Sequence, residues 1–291
     1  MLVLLWAGVA GYLYAHNLGA HGFWIDELFT SFSSAGERFP HDRMQTGAWL
    51  DSSKPPAAIR PEAPWYAPWV GVVDESMPPL YFQVVHVVRR LLGDGDVTIR
   101  SVGVACGLAT IPVVFLGTRW CGLTAWAAAL AAGVQTLSWV NIYLARDARP
   151  YAMANLLSCV AVAVAARAST RPSRRSAVAL ALAVAAMTAT HYFTAAIAAA
   201  IFVYGVVLAP APGARRTIIA GVLVGLRCSP SHVGRCCGFR WRLGTVARRR
   251  RGCSTTKGRA MRCGRSHGWR ASRCNWSGSR TANRSCSTFS S

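Results

Sequence analysis

The 291-residue chain is 53% hydrophobic and only 15% charged. Soluble domains carry about 25% charged residues, so this composition argues against an ordinary soluble globular domain and indicates an apolar environment. The net charge of +21 is typical of nucleic-acid binding, but residues 227–291 hold 16 of the 32 basic residues and none of the 11 acidic ones. Because the excess charge is confined to this tail, no nucleic-acid partner is predicted for residues 1–226.

The first predicted element is an apolar helix over residues 1–16. A secretory signal peptide has a similar apolar segment, but it ends in a small-residue cleavage site and precedes a soluble domain. Neither feature follows here, and more apolar segments come later in the chain. The helix is therefore predicted to be a membrane anchor.

A long polar loop follows over residues 17–79. It holds 8 of the 11 acidic residues and is rich in Trp, Pro and Tyr, which suits a loop that contacts a membrane interface. The doublet Asp26–Glu27 lies a few residues after the first helix. A carboxylate held at the membrane surface can accept a proton from a hydroxyl group, but acidic residues are equally typical of a solvated helix N-terminus. Both interpretations fit the residues alone.

The next segment, Leu80–Gly93, is apolar but carries His86, Arg89 and Arg90. It is too short to span a membrane, because a crossing helix needs about 20 residues to cover about 30 Å of hydrocarbon. We predict an amphipathic helix that lies in the outer interface with its charges toward the lipid headgroups.

Apolar segments of roughly membrane-crossing length fill the rest of residues 1–226. Together with the first helix they are predicted at 1–16, 101–118, 122–143, 151–167, 176–190 and 192–208, and a seventh begins at Thr217. The sequence thus predicts an all-α integral membrane protein: a multi-helix transmembrane bundle with a long first extracytoplasmic loop that contains interfacial helices.

Basic residues set the predicted orientation of this bundle. They cluster at Arg119, at 167–175 and at 215–216, and the positive-inside rule places such clusters in the cytoplasm. The loop that ends at Arg100 and the segment 141–150 then face outward.

A charged segment lies on the predicted outer side, over residues 143–151. Its charges are costly at a helix entry unless they face a cavity or a partner. Arg149 could hold a phosphate through two parallel hydrogen bonds, or it could be an interfacial side chain paired with Asp147. Arg100 carries the same two interpretations. The pair His191–Tyr192 could line the same cavity or belong to an interfacial aromatic belt.

The tail has neither a long apolar run nor any periodicity. Its mixture of Arg, Cys, Ser, Gly and Trp without acidic residues is what out-of-frame translation of a GC-rich gene yields, so we predict a disordered or frameshifted segment. A nucleic-acid arm and a zinc site are two further interpretations, although its seven cysteines form no C-x-x-C pair. The predicted organisation is therefore an N-terminal transmembrane part over residues 1–226 and a basic tail over 227–291.

Four short motifs occur in a particular order after the first helix: Trp24–Glu27 (WIDE), Pro78–Phe82 (PPLYF), Arg100–Ser101 and Ala148–Tyr151 (ARPY). This order resembles the polyprenyl-phosphate-sugar-dependent membrane glycosyltransferases of the protein mannosyltransferase and lipid A aminoarabinose transferase type, which have the GT-C fold. The similarity covers residues 1 to about 226, the N-terminal part of the family fold.

The resemblance implies an inverting transfer of one sugar from a polyprenyl-phosphate donor to a hydroxyl of an acceptor lipid, glycan or protein. It places the reaction at the extracytoplasmic face of the cell membrane. Asp26 matches the family's base, and Glu27 would support it through a basic partner. Arg100 matches an arginine associated with the acidic pair or with the donor phosphate, and Arg149 belongs to the segment that binds the donor. The expected cavity-lining residues are Asp147, Tyr151, His191 and Tyr192.

No cofactor is expected, because the donor is already membrane-bound and the chain has no phosphate-cradling glycine loop. No metal cluster is predicted, while a divalent metal at the acidic doublet stays open. The chain departs from the family at Met77, where members commonly have His or Lys before Pro-Pro. It also loses the family's further helices after Leu226, so its activity stays open. The alternative is a non-catalytic multi-pass membrane protein or a transporter; a transporter would have charged or broken helices near mid-membrane and internal repeats, and the sequence indicates neither.

Overall fold

The computed structural model describes residues 1–20, 22–38, 57–72 and 77–229, where helices joined by short turns and loops make up the chain and no strand occurs. The helices there are α1 (Leu2–Ala15), α2 (Ile25–Ala35), α3 (Ala67–Gly71), α4 (Leu80–Leu92), α5 (Asp96–Trp120), α6 (Ala125–Leu137), α7 (Trp139–Arg146), α8 (Tyr151–Thr170), α9 (Arg174–Thr190), α10 (Thr194–Val207) and α11 (Pro212–Cys228). The prediction for the tail beyond Ser229 lies outside the described residues, as do the loop carboxylates Asp42, Asp51, Asp74 and Glu75.

Two of these helices, α5 and α8, are long and apolar enough to cross a membrane. The pair α6 and α7 forms a third candidate if the two helices count as one bent span. The predicted helices over 101–118, 122–143 and 151–167 are therefore present. Helices also occupy the other predicted spans, but α1, α9, α10 and α11 have only 14 to 17 residues.

The predicted helix over 122–143 is broken at Ser138, where the chain bends by 57°. Ser138 has an extended backbone that ends α6 and begins α7. A break leaves carbonyls without their helical partners, and side chains must replace those hydrogen bonds. The Tyr14 hydroxyl donates to the Thr136 carbonyl at 3.3 Å, and the Asn141 amide donates to the Gln135 carbonyl at 3.0 Å. The sequence interpretation missed this break, because apolar residues continue on both sides of Ser138.

Two helices begin earlier than predicted. α11 begins at Pro212 rather than at Thr217, since proline is well suited to the first helical position, where its missing N–H is not needed. α5 begins at Asp96 rather than at Ser101. Arg100 was predicted to open a helix, but it lies in the second turn of α5 and is buried.

A helix is present in the segment predicted to be interfacial, as α4, but the prediction that its charges face headgroups is wrong for Arg89. That side chain is buried, because it reaches the carbonyl end of α2. It donates to the Ser31 carbonyl at 2.8 Å and to the Ser34 hydroxyl at 2.7 Å, and it binds Asp94 at 2.7 Å. Its guanidinium also donates to the carbonyl of Ala57. Arg90, one residue later, is exposed.

Small residues allow α5 and its neighbours to pack closely. A Cβ at Gly117 would lie 2.9 Å from the Cβ of Ala163 in α8, and one at Gly107 would lie 2.9 Å from the ring of Tyr14 in α1. Small residues at helix contacts are typical of membrane helix packing, where backbones approach closely. The N-terminal end of α5 also contacts α4, through a buried cluster that includes Tyr81 and Ile99. This end of the bundle carries the acidic doublet, Arg100 and Arg149.

Candidate functional site

A buried ion pair joins α2 to α5. The guanidinium of Arg100 binds the Glu27 carboxylate in a two-point arrangement, with Nε to Oε1 at 2.9 Å and a terminal nitrogen to Oε2 at 2.6 Å. Both side chains are almost fully buried, at 7% and 5% exposure. Arg100 also donates to the carbonyls of Leu18 and Gly22. The start of the loop is therefore fixed to α5 by one arginine.

Glu27 also binds the charged segment that precedes α8. Its Oε1 accepts a hydrogen bond from the Ala148 backbone N–H at 3.0 Å, and its Oε2 accepts one from the Trp24 N–H at 3.3 Å. The second contact caps the N-terminus of α2, where a carboxylate is favoured by the helix dipole. One carboxylate thus holds three segments that are distant in sequence.

Gly103, one turn after Arg100, allows the charged segment to approach α5. A Cβ at this position would lie 2.6 Å from the Ala145 carbonyl oxygen and 3.1 Å from that of Asp147. No other residue type fits here without moving the backbone of the neighbouring segment. The absence of a side chain at Gly103 therefore allows residues 145–148 to lie close to α5 and to Glu27.

The two residues of the acidic doublet have opposite environments. Glu27 is buried, whereas Asp26 is exposed. The Asp26 backbone is held in place, because its carbonyl accepts a hydrogen bond from Arg149 at 3.0 Å. The arrangement leaves an accessible carboxylate on a fixed backbone beside a neutralised one, which is a geometry suited to accepting a proton.

Arg149 is buried at 6% exposure, and it packs against two aromatic rings. Its guanidinium carbon lies 5.9 Å from the ring centre of Phe29 and 5.7 Å from that of Tyr151. Its Nε is buried and has no hydrogen-bond partner in the described part of the chain. A buried donor without a partner is costly, and this nitrogen is closed off from solvent in the structure.

Asp147 lies between these charged groups. Burial raises the pKa of its carboxyl to about 6, and the negative charge of Glu27 acts in the same direction while Arg149 opposes it. A carboxyl with such a pKa exchanges protons near neutral pH, which an ordinary aspartate does not.

A cavity of about 510 Å³ opens beside the ion pair. It is lined by Asn17, Leu18, Gly22, Trp24, Glu27, Arg100, Trp139, Ile142, Tyr143, Arg146 and Asp147. Among the four predicted lining residues, Asp147 is present. Asp26 is adjacent in the chain to the lining residue Glu27, and Arg149 is two residues from Asp147, but neither is part of the lining.

Tyr151, His191 and Tyr192 were predicted to line the cavity, but they lie outside its lining. They form an aromatic cluster instead, with the His191 ring 5.3 Å from that of Tyr151 and 4.9 Å from that of Tyr192. The reason is that Tyr151 and His191 pack with one another, and Tyr151 contacts Arg149. Burial lowers the pKa of the His191 imidazole, and the charge of Arg149 acts in the same direction.

The sequence interpretation missed one face of the cavity, which is contributed by α7. Trp139, Ile142, Tyr143 and Arg146 follow the i, i+3, i+4, i+7 spacing that marks one side of a helix. That periodicity could have identified them. It also missed Tyr81, whose hydroxyl is buried without a hydrogen-bond partner in the described ranges, and whose only sequence signal was its place in the PPLYF motif.

The geometry bears on the two roles expected for Arg100. Pairing with the acidic residue fits, since the Arg100 guanidinium binds Glu27 and two carbonyls.

No group of three His, Cys, Asp or Glu side chains that could hold a metal ion occurs in the described part of the chain.

Comparison of this chain with protein-family models gives no match, and comparison with curated proteins gives none either.

Proposed function

We propose that this chain is a membrane glycosyltransferase that moves a sugar from a polyprenyl-phosphate donor to a hydroxyl acceptor at the extracytoplasmic face. The observation that carries the proposal is the division of the doublet: Glu27 is buried and neutralised by Arg100, while Asp26 is exposed and held by Arg149. The cavity beside the pair provides space for a substrate. The apolar helices α5 and α8, whose N-terminal ends carry these charges, support a position at a membrane surface.

In the proposed reaction Asp26 acts as the general base. It takes the proton of the acceptor hydroxyl while the acceptor oxygen forms a bond to the anomeric carbon of the donor sugar. The bond from that carbon to the phosphate oxygen breaks, and its electron pair leaves with the polyprenyl phosphate. Attack from the face opposite the leaving group inverts the anomeric centre.

The leaving phosphate gains negative charge in this step and needs fixed positive charge nearby. Arg149 is the proposed source, because its Nε has no partner in the described residues and its side chain is held between two aromatic rings. Arg100 is proposed as a positioning residue, which fixes Glu27 and thereby the turn that presents Asp26. Asp147 and the α7 face are proposed to contact the substrate in the cavity.

The test is sugar transfer by the chain in lipid nanodiscs, with a panel of polyprenyl-phosphate monosaccharides and hydroxyl acceptors. Loss of a general base typically lowers a rate by about 10²–10⁴-fold, so Asp26→Asn is expected to lose transfer to at least that extent. Glu62→Gln is the matched control, because Glu62 is an exposed carboxylate of the same loop. Transfer that persists in Asp26→Asn would contradict the proposed role.

A transporter is the second candidate, and the break at Ser138 favours it. Discontinuous helices within the membrane are typical of transporter binding sites, and α6 and α7 form such a pair. This candidate predicts flux of a polar solute into proteoliposomes with every sugar donor left chemically intact. Release of polyprenyl phosphate with transfer of the sugar would exclude it as the main activity.

A further inference from the structure

A second cavity, of about 460 Å³, lies along the C-terminal half of α5 and along most of α8. Its walls include Val113 and Gly117 of α5 and Val162 and Ala166 of α8. Along α8 the lining runs from Asn155 to Ala166, which is about 16 Å at a rise of about 1.5 Å per residue. This is about half of the hydrocarbon thickness of about 30 Å, so the groove extends from the C-terminal ends of the two helices to about the middle of a membrane that they cross.

The walls of this groove present apolar surface even where polar residues line it. The Thr118 hydroxyl donates to the Val114 carbonyl at 2.8 Å. The Cys159 thiol lies 3.9 Å from the Asn155 side-chain oxygen, and the Asn155 amide donates to Asn141 at 3.3 Å. Because each of these polar groups already has a partner within the protein, they offer little to a polar ligand. The groove therefore suits a hydrocarbon chain.

Two exposed arginines lie at the mouth of the groove. Arg119 is next to the lining residue Thr118, and Arg167 is next to the lining residue Ala166. The guanidinium of Arg167 lies 5.0 Å from the ring centre of Trp120, which holds it at this end. From residue 97 to residue 229 the chain has one acidic residue, Asp147, and it lies near the opposite ends of α5 and α8. The mouth is thus positively charged and attracts an anion.

We propose that the groove binds one acyl chain of an anionic phospholipid and that its phosphate lies between Arg119 and Arg167. The inference rests on the membrane position in the proposed function, but it does not require sugar transfer. Charge complementarity favours an anionic lipid over a neutral one, since a neutral lipid would leave the two arginines without a counterion. By the positive-inside rule the lipid belongs to the cytoplasmic leaflet, where anionic lipids are enriched.

The experiment is a titration of the full chain in neutral detergent with phosphatidylglycerol and phosphatidylcholine, followed by native mass spectrometry. The chain should retain phosphatidylglycerol in preference to phosphatidylcholine. Removing both charges with Arg119→Gln/Arg167→Gln should weaken phosphatidylglycerol binding by about tenfold or more, since each basic group near an anionic lipid contributes appreciably. Filling the groove with Val162→Trp should weaken binding of the same lipid while both charges stay in place.

Two variants of α9 provide matched controls. Arg174→Gln/Arg175→Gln removes the same charge at the same end of the bundle. Val178→Trp adds the same ring at a position 52% exposed, compared with 51% for Val162. Both controls should bind phosphatidylglycerol as the unmodified chain does. Equal losses in test and control variants, or equal binding of the two lipids, would overturn the proposal, and so would a polyprenyl phosphate that displaces the phospholipid.

The lipid site and the transferase can fail separately. Asp26→Asn should lose transfer and keep the phospholipid preference, because the doublet lies at the other end of α5. Phospholipid binding that persists without any transferase activity would leave this inference intact and contradict only the proposed reaction.

Discussion

Asp26 and Glu27 are adjacent in the chain, yet their carboxylates have opposite environments because the two side chains leave α2 in different directions. Glu27 points into the protein and meets Arg100, and the pair is buried on both sides. A buried ion pair adds little net stability over an apolar pair, but removing one partner leaves an uncompensated charge. We therefore interpret the pair as a device that fixes the turn presenting Asp26, rather than as a source of stability.

This interpretation predicts strong coupling between the two residues. Glu27→Leu leaves the Arg100 charge buried, and the free energy of unfolding should fall by about 3–5 kcal/mol. Arg100→Leu should have a comparable effect. The double variant should lose clearly less than the sum of the single losses, as measured by unfolding in mixed detergent micelles. Additive losses would mean that the two side chains act independently.

Asp147 predicts a pH dependence of stability. Its pKa is raised from 3.8 to about 6 in the folded chain, so the protonated carboxyl is favoured by folding. The resulting stabilisation is fully present below pH 3.8 and is lost as the pH rises through about 6. Asp147→Asn should therefore raise the apparent melting temperature at pH 8, and this gain should shrink at pH 5. Glu62→Gln is the control, and a gain of equal size at both pH values would contradict the assignment.

At the scale of helices, close approach at Gly103 determines how the charged segment meets α5. Gly103→Ala would place a Cβ 2.6 Å from the Ala145 carbonyl oxygen, so the segment must move. Overpacking of this kind costs about 1–3 kcal/mol. Gly8→Ala in α1 is the matched control, because a Cβ there has no atom within 4 Å. Melting curves should show a loss for Gly103→Ala and none for Gly8→Ala, since alanine is the better helix former.

Much of the helix pattern could be predicted from the sequence, because apolar runs of membrane length are a strong local signal. The break at Ser138 could not be predicted, since it depends on hydrogen bonds that Tyr14 and Asn141 donate to the freed carbonyls of Thr136 and Gln135, and these form only in the folded chain. The burial of Arg89 could not be predicted from the sequence either. Its partners Ser31, Ala57 and Asp94 lie far apart in sequence, and only the folded chain brings them together.

The residues of the candidate site could also be predicted from the sequence, but their contacts could not. The doublet, Arg100 and Arg149 could be selected from motif order, and the structure brings these residues together. The hydrogen-bond partner of each of these residues could not be predicted, because pairing depends on packing between helices. Arg100 could have faced a ligand or Glu27, and only its geometry distinguishes the two.

At the scale of the whole molecule, the orientation in the membrane can be tested directly. In a chain without native cysteines, Ile25→Cys beside the doublet and Thr170→Cys after α8 are both exposed positions. The positive-inside rule places residue 170 in the cytoplasm. A membrane-impermeant maleimide should label residue 25 in intact cells and residue 170 only after permeabilisation. Labelling of both from the same side would contradict the extracytoplasmic site.

The burial of Arg89 has a consequence for local opening of the fold. Its guanidinium binds the end of α2, the carbonyl of Ala57 and the side chain of Asp94, so moving any one of these parts alone would leave a positive charge buried without its partner. The parts that Arg89 joins should therefore open as a single cooperative unit. Backbone amides of α2 and α4 would then exchange with deuterated solvent at a common rate.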